Sequence, residues 1–172
     1  MDAFANVPSN GKIAMKFEGD DADDKLIGVE LLSAEDDVLL ASRNGKAIRF
    51  AADDIREFQS RASTGVRAMK LGKDDAVISL SILKRVGTSA EEREDYLRFA
   101  PWKPEKEGDP TMTAERIAEM AEREQFILTV CANGYGKRSS SYEYRRTNRG
   151  GQGITNIDNI ARNGPVVASF PA

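Results

Sequence analysis

Short hydrophobic stretches followed by Asn-Gly pairs recur along the chain. The stretches at 38–40 and 126–130 are rich in branched and aromatic residues, and Asn-Gly follows them at 44–45 and 133–134. Such stretches favour β-strands, and Asn-Gly suits the positive φ angles of a type I′ hairpin turn. A further apolar stretch at 77–82 is expected to close the unit as another strand. The pattern therefore predicts antiparallel hairpins.

The two hairpin regions are versions of one repeat. Residues 37–71 align with residues 125–157, and parts of a third copy lie at 11–17 and 26–32. Matched positions are Asn44 and Asn133, Gly45 and Gly134, Arg49 and Arg138, Asp54 and Glu143, Arg61 and Arg149, and Gly65 and Gly153. Self-similarity at about 50 residues is typical of folds in which each unit is a small sheet. We therefore predict an all-β fold of propeller-like blades of about 50 residues, roughly three of them and incomplete.

A charged segment at 87–124 interrupts the repeat and has helical character. Ser89 and Glu92 have the spacing of a capping box, and 113–124 carries its apolar residues on one stripe. The resulting layout is a tail at 1–10, repeats at 11–64 and 65–152, a small α-helical insertion inside the second repeat, and a partial further repeat at 153–172. Without the insertion, fewer than three units of about 50 residues remain. We therefore expect the chain to be a piece of a larger protein.

The composition excludes several classes of enzyme. The 172 residues include no histidine and a single cysteine, which removes Ser-His-Asp and Cys-His catalysis, most zinc sites and any internal disulfide. Cys131 ends a hydrophobic stretch, so a buried, inert thiol is expected. No apolar run is long enough to span a membrane. We expect a cytoplasmic protein with no metal, cofactor or small-molecule substrate.

Charge is distributed unevenly, although the net charge is only −3. Residues 38–73 contain 8 basic and 3 acidic residues, and residues 125–172 contain 6 basic and 2 acidic residues. Lysine and arginine bind nucleic-acid backbones by neutralising phosphates and releasing counterions. The candidate DNA-binding residues in these two blocks are Arg43, Lys46, Arg49, Arg61, Arg67, Lys137, Arg138, Arg145, Arg146 and Arg149.

Two other interpretations of these basic residues remain open from the residues alone. They could form a solvated charged face, or Arg49 and Arg138 could pair with Asp54 and Glu143 inside their own units. No recognition helix is predicted in either basic block. Any DNA binding would therefore follow the backbone and its deformability and not read base sequence.

Several separate motifs resemble the C-terminal domain of the bacterial DNA gyrase A subunit and its topoisomerase IV relative. In order along residues 11–169, outside the insertion, they are DKLIGV at 24–29, RNGKAIRF at 43–50, TGVRAM at 64–69, NGYGKR at 133–138 and EYRRTNRGGQGI at 143–154. The NGYGKR and RGGQG features together favour gyrase over topoisomerase IV. The family's DNA-wrapping box is Gln-Arg-Arg-Gly-Gly-Lys-Gly. The similar loop here, which by position resembles the box-related loop of a later blade, consists of Thr147, Asn148, Arg149, Gly150, Gly151, Gln152 and Gly153.

The resemblance implies a β-pinwheel, in which blades exchange strands with their neighbours and a basic rim binds and wraps duplex DNA. It implies a non-catalytic module of an ATP-dependent type II topoisomerase that introduces negative supercoils. The implied partners are double-stranded DNA, the remainder of the gyrase A subunit, and the gyrase B subunit, at the bacterial nucleoid. The family's DNA-cleaving tyrosine lies in an N-terminal portion, so none of Tyr96, Tyr135, Tyr142 and Tyr144 is expected to be catalytic.

Two functions of other classes compete with DNA binding. The first is a propeller-like protein-interaction scaffold, in which the acidic insertion docks a partner protein. The second is an enzyme that uses carboxylates alone, which would need paired acids in one pocket, and the sequence presents no such pair. DNA affinity that falls as salt rises would distinguish the DNA-binding module from the scaffold.

Overall fold

The structure, a computed structural model, describes residues 4–17, 22–58, 63, 65–158 and 160–172. These residues form antiparallel strands β1 (Asp36–Ser42), β2 (Lys46–Ala51), β3 (Val77–Lys84), β4 (Phe126–Cys131), β5 (Gly136–Ser140), β6 (Ile154–Thr155) and β7 (Val166–Pro171). One sheet has the order β3-β1-β2-β6, and the other has the order β5-β4-β7. The predicted β architecture is confirmed, including both hairpins and the closing strand at 77–82.

The predicted type I′ geometry of the hairpin turns is wrong. Gly45 has a φ of +81°, but within the described chain Asp74 is the one non-glycine residue with a positive φ, so Asn44 does not have one. Three residues separate the paired strands, and the N–H of Gly45 donates to the carbonyl of Ser42 at 3.1 Å. The second hairpin repeats this arrangement at Gly134. A loop of three residues needs the left-handed conformation only at its last residue, which is the glycine.

Strand exchange joins the two sheets. β6 follows β5 in the sequence, but it pairs with β2 of the first sheet, with Ile154 opposite Ala47. A parallel bridge between Arg49 and Arg146 begins this return of the chain. The chain that leaves the second hairpin therefore completes the edge of the first sheet.

The first sheet is buried on both faces. Every residue of β1 is buried. Side chains alternate between the two faces of a strand, so one face of β1 and β2 contributes Val38, Leu40, Ile48 and Phe50 to a cluster with Met69. The opposite face of the sheet contributes Leu39, Ala47 and Leu83 to a second cluster with Ile127 and Tyr144 of the neighbouring unit. The contact between the two units is therefore a hydrophobic core. Cys131 is buried, as predicted, and burial raises the pKa of its thiol.

The insertion folds as two helices that dock on the second hairpin. They are α1 (Ala90–Phe99) and α2 (Ala114–Glu122), and a third short helix, α3 (Ile160–Asn163), precedes β7. The predicted capping box is confirmed, since Ser89 Oγ accepts from the Glu92 N–H and the Glu92 carboxylate accepts from the Ser89 N–H. Tyr96 and Met120 pack against Tyr142, which anchors the helices to the blade. None of the helices in the described ranges has the length and apolar character needed to cross a membrane.

The partial third copy does not form strands in the described chain. Residues 22–35 contain no strand, and Leu26, Val29 and Leu31 are exposed to 56%, 76% and 74%. The sequence resembles β3, but β3 is a strand because it pairs along its length with β1. No described hairpin pairs with residues 26–32, and an unpaired strand is not stable in water.

Asp36, at the start of β1, gives the fold a measurable pH dependence. Lys84 Nζ donates to its carboxylate at 2.8 Å and the Ser33 N–H donates at 2.7 Å. These hydrogen bonds, led by the one from Lys84, lower the pKa of Asp36 from 3.8 to about 2. Because folding favours the ionised carboxylate, its contribution to stability is present above about pH 4 and is lost as the pH falls towards 2.

The substitution Asp36→Asn is expected to flatten the acid side of the stability profile. Urea midpoints measured between pH 6 and pH 3 should fall less steeply for this variant than for the unchanged chain, because one carboxylate with a lowered pKa has been removed. Asp109→Asn, in an exposed loop, is the control and should follow the unchanged chain. Equal slopes in all three proteins would contradict the role given to Asp36.

Candidate nucleic-acid interface

The loop that resembles the family's wrapping box lies across the first sheet. The Thr147 N–H donates to the carbonyl of Arg49 at 2.8 Å, and the Gly150 N–H donates to the carbonyl of Ala68 at 2.6 Å. In return, the Lys70 N–H donates to the carbonyl of Gly151 at 2.8 Å. Residues 145–156, although they follow the second hairpin, are therefore held between β2 and the segment at 67–70.

Basic side chains border this loop along its length. Arg149 donates to the carbonyl of Arg67 at 3.2 Å, Lys46 Nζ donates to Thr155 Oγ1 at 3.0 Å, and Lys137 Nζ donates to the carbonyl of Asn156 at 3.2 Å. Lys46 and Lys70 also line, with Gln152, a cavity of about 270 Å³. We call this set the basic strip: Lys46, Arg67, Lys70, Lys137, Arg145, Arg146 and Arg149. All seven side chains belong to exposed residues.

The glycines of the loop serve close backbone packing. Gly153 has a φ of +71°, and a Cβ there would overlap the Ala47 carbonyl, whose carbon would be 2.8 Å away. Gly150 has a φ of +83°, and its N–H is already bonded to Ala68. The glycines therefore let the loop lie against β2, and the exposed cationic groups are those of the side chains around it.

Arg49 is not part of the exposed strip. Only 8% of the residue is exposed, and its guanidinium donates to Asp37 Oδ2 and to the carbonyl of Ser141, both at 2.9 Å. Burial lowers its pKa, and the nearby charge of Arg146 lowers it further. The alternative pairing of Arg49 with Asp54 is wrong, because the two antiparallel strands bring Asp37 to the same face.

The remaining predicted residues lie apart from the strip or outside the description. Arg43 is exposed at the tip of the first hairpin, and the Arg138 guanidinium stacks over the Phe126 ring at 3.4 Å. Glu143 pairs with Lys137 at 3.2 Å, so the alternative in which it pairs with Arg138 is wrong by one residue. Arg61 lies outside the described residues.

The structure also reveals a cationic cleft that the sequence did not indicate. It encloses about 430 Å³ between the first sheet, α1 and residues 144–146, which precede the box-like loop. Its arginines are Arg49, Arg85, Arg93, Arg145 and Arg146, and its acidic residues are Asp37 and Glu94. Arg93 was missed because it stands among acidic neighbours, and Arg85 was missed because it lies with Lys84 at the end of a strand, outside both basic blocks. Lys70 lies in a basic block, but no turn or motif marked it.

Three of the four tyrosines are structural. Tyr96 is buried and donates to Glu124, Tyr142 donates to the carbonyl of Met120, and Tyr144 donates to Asn156 Oδ1. Burial raises the pKa of Tyr142 to about 12. Tyr135 is partly exposed beneath the guanidinium of Arg162. The hydroxyls of the three buried rings are thus used to join the insertion, the hairpin and the exchanged strand.

The family model of the DNA gyrase C-terminal domain, described as a β-propeller, matches residues 36–84 and 125–172. The chain belongs to this family. Together the two matched stretches contain every strand of both sheets, the exchanged strand β6 included, and they leave out the helical insertion. The family predicted from the sequence motifs is therefore confirmed.

Relatives and solved structures agree with the family. The DNA gyrase A subunit of Rickettsia felis is 46% identical over 179 residues, which is 98% of this chain and 19% of the relative. The same subunit from Granulibacter bethesdensis is 45% identical over 192 residues, with coverages of 98% and 20%. The crystal structure of the C-terminal domain of DNA topoisomerase IV has the same fold, with a TM-score of 0.59 at 16% identity over 92% of this chain and 37% of that one. The chain thus spans about one fifth of the length of these curated relatives.

Proposed function

We propose that this chain is a DNA-binding part of a gyrase A subunit which holds duplex DNA along the basic strip. The observation that supports this most directly is the arrangement of seven basic side chains, from separate parts of the sequence, around one loop. Strand exchange creates the arrangement, because it brings Arg145, Arg146 and Arg149 of the hairpin region at 125–157 beside Lys46, Arg67 and Lys70 of the hairpin region at 37–71.

The chemistry of the strip suits a phosphate backbone and not base edges. Its cationic groups lie along an irregular loop on a sheet, and no helix in the described part of the chain projects from it to enter a groove. Phosphate contacts of this kind give affinity that depends strongly on salt and weakly on sequence. Arg49 is left out of the proposed contacts, since its guanidinium is buried with Asp37.

In the larger protein, this binding would serve DNA wrapping and ATP-dependent negative supercoiling. The strand-cleaving chemistry would lie in the remainder of the A subunit, and the gyrase B subunit would be a further partner in the full enzyme. The working location would be the bacterial cytoplasm at the nucleoid. The box-like loop differs from the family's wrapping box at Thr147, Asn148 and Gln152, so its part in wrapping is to hold DNA against this blade.

Fluorescence anisotropy with a duplex of about 40 base pairs tests the strip, with salt varied from about 50 to 200 mM. The double variant Arg145→Gln/Lys70→Gln removes two exposed charges whose side chains make no hydrogen bond or ion pair within the described residues. We expect it to bind roughly tenfold more weakly and to lower the salt slope by about 2, because each lost phosphate contact lowers that slope by about 0.9.

Arg98→Gln/Arg123→Gln is the control for charge, since it removes two exposed charges from the insertion, one on α1 and one just after α2, away from the strip. It should bind DNA as the unchanged chain does. Failure of the unchanged chain to bind at about 50 mM salt would contradict the proposal and favour the protein-interaction scaffold. An equal loss in both double variants would show that binding follows net charge and not the strip.

A further inference from the structure

The cationic cleft beside α1 has an excess of positive charge that its own acids do not balance. Five arginines face Asp37 and Glu94. The Asp37 carboxylate, which is almost fully buried, accepts from Arg49 at 2.9 Å and from Arg85 at 3.0 Å, and Arg146 approaches it to 4.0 Å. One buried carboxylate thus forms ion pairs with three guanidinium groups.

Three of these arginines have donors left for a ligand. A guanidinium has five N–H donors, and Arg93 uses its side chain for the carbonyl of Tyr142 at 3.1 Å and for Glu94 at 3.4 Å. Within the described ranges, the half-exposed side chain of Arg146 makes one ion pair, at 4.0 Å to Asp37, and the side chain of Arg145 makes no hydrogen bond or ion pair. Arg85 is different, because it is held by Asp37, Asp53 and two backbone carbonyls. It therefore acts as a fixed wall of the cleft.

The acidic composition of the insertion does not oppose an anion at this position. Residues 87–124 contain 11 acidic and 6 basic residues, but the acids that flank the cleft are engaged in holding the helices together. Glu92 and Glu119 pair with Arg116, at 2.8 and 2.7 Å. Asp95 accepts from the backbone of Thr111 and Met112. Asp53, which is also exposed, is bonded to Arg85 at 2.9 Å. Of the two acids that line the cleft, Glu94 is the exposed one, with 71% of its side chain exposed.

We propose that this cleft binds one phosphate of the DNA backbone, through Arg93, Arg145 and Arg146, and so makes the insertion part of the DNA-binding surface. One guanidinium can donate two N–H bonds to a phosphate, and the cleft that these three arginines line, of about 430 Å³, has room for one tetrahedral anion. Arg145 and Arg146 also begin the basic strip, so a duplex on the strip reaches the cleft without leaving the basic surface. The inference rests on the proposed function.

The test is the same duplex titration, applied to the unchanged 172-residue chain and to single variants. Arg93→Gln is expected to weaken binding roughly fivefold at about 100 mM salt and to lower the salt slope by about 1. Arg98→Gln, on the same helix but outside the cleft, is the control and should change neither quantity. Thermal melting should show both variants folded.

A variant that is expected to strengthen DNA binding keeps the test valid if Arg93→Gln disturbs the fold of the insertion. Glu94→Gln removes the exposed acid at the rim and is expected to tighten DNA binding roughly two- to threefold. Glu122→Gln, an exposed change on α2 outside the cleft, should have no effect.

The failures of the two proposals are distinguishable. If Arg145→Gln/Lys70→Gln weakens binding but Arg93→Gln and Glu94→Gln behave like their controls, the strip stands and the cleft proposal is overturned. The cleft proposal is also overturned if inorganic pyrophosphate raises the melting temperature of the unchanged chain, but not of Arg93→Gln, while duplex binding is the same in both. If no duplex binds to the unchanged chain, the proposed function fails first.

Discussion

Replacing Arg49 with methionine is expected to lower the free energy of unfolding by about 3–5 kcal/mol. The change leaves the Asp37 carboxylate, which is 1% exposed, with Arg85 as its remaining close partner, and it removes one of two donors to the carbonyl of Ser141, which keeps the Tyr144 N–H at 3.2 Å. A buried charge or acceptor that loses its partner has a desolvation cost that the fold cannot recover by relaxing. Methionine fills most of the arginine volume, so packing contributes little to the loss. Urea denaturation followed by circular dichroism measures the effect.

Arg43→Met is the matched control, because it makes the same chemical change at an exposed position on the hairpin tip. It should alter stability by less than about 0.5 kcal/mol. The double variant Arg49→Met/Asp37→Leu should recover part of the loss, since replacing both members of a buried pair by apolar side chains is often tolerated. A single variant within about 1 kcal/mol of the unchanged chain would mean that Arg85 and Arg146 suffice for Asp37.

Local signals in the sequence were sufficient for the two hairpins and the start of the insertion, but not for residues 11–17 and 26–32, whose strand-like sequence forms no strand. Apolar stretches with Asn-Gly pairs located both hairpins, and the Ser89–Glu92 spacing located the start of α1. These features depend on residues within a few positions of one another, and propensities and caps act at that range. The turn geometry was missed because Asn-Gly is compatible with loops of two and of three residues, and the strand register decides between them.

Partners distant in sequence could not be predicted in the same way. Arg49 was matched with Asp54 because they are close in the chain. Its partner is Asp37, two residues from Leu39, which lies directly opposite Arg49 in the antiparallel pair. Residues that share a face across two strands are set by register, which the repeat alignment does not specify. A search for acids on the neighbouring strand, with the hairpin register assumed, would have found Asp37.

The candidate interface depends on a strand pairing between residues that are still farther apart in the sequence. The basic residues of each repeat were identified, but the strip arises only because β6 of the second repeat pairs with β2 of the first. The cleft needs a third element, the insertion helix α1, at the same place. Arg93 and Arg146 are far apart in sequence and belong to no common motif. Tertiary packing, and not local pattern, brings them together.

Replacing Gly153 with alanine is expected to lower the free energy of unfolding by about 3 kcal/mol or more. The residue has a φ of +71°, and its new Cβ would overlap the carbonyl oxygen of Ala47 and lie 3.3 Å from the Ile48 nitrogen. That backbone cannot move aside, because Ala47 pairs with Ala41 on one side and with Ile154 on the other. The variant must therefore separate β6 from β2, which also displaces the box-like loop. We expect weaker DNA binding together with the lower melting temperature.

Gly134→Ala separates the two causes, because Gly134 has a similar φ of +84° but no atom within 4 Å of the new Cβ. It should lower the free energy of unfolding by about 1 kcal/mol, the cost of the left-handed conformation alone, and should leave DNA binding unchanged. The difference between the two variants then measures the crowding at the exchanged strand. Equal destabilisation in both would mean that backbone conformation alone matters at Gly153 and that the contact between β6 and β2 is loose enough to admit a methyl group. If instead Gly153→Ala is the more destabilised variant and also binds DNA more weakly, then the pairing of β6 with β2 is required for the DNA-binding surface. A single methyl group where these two strands meet would then disrupt both the fold and the strip.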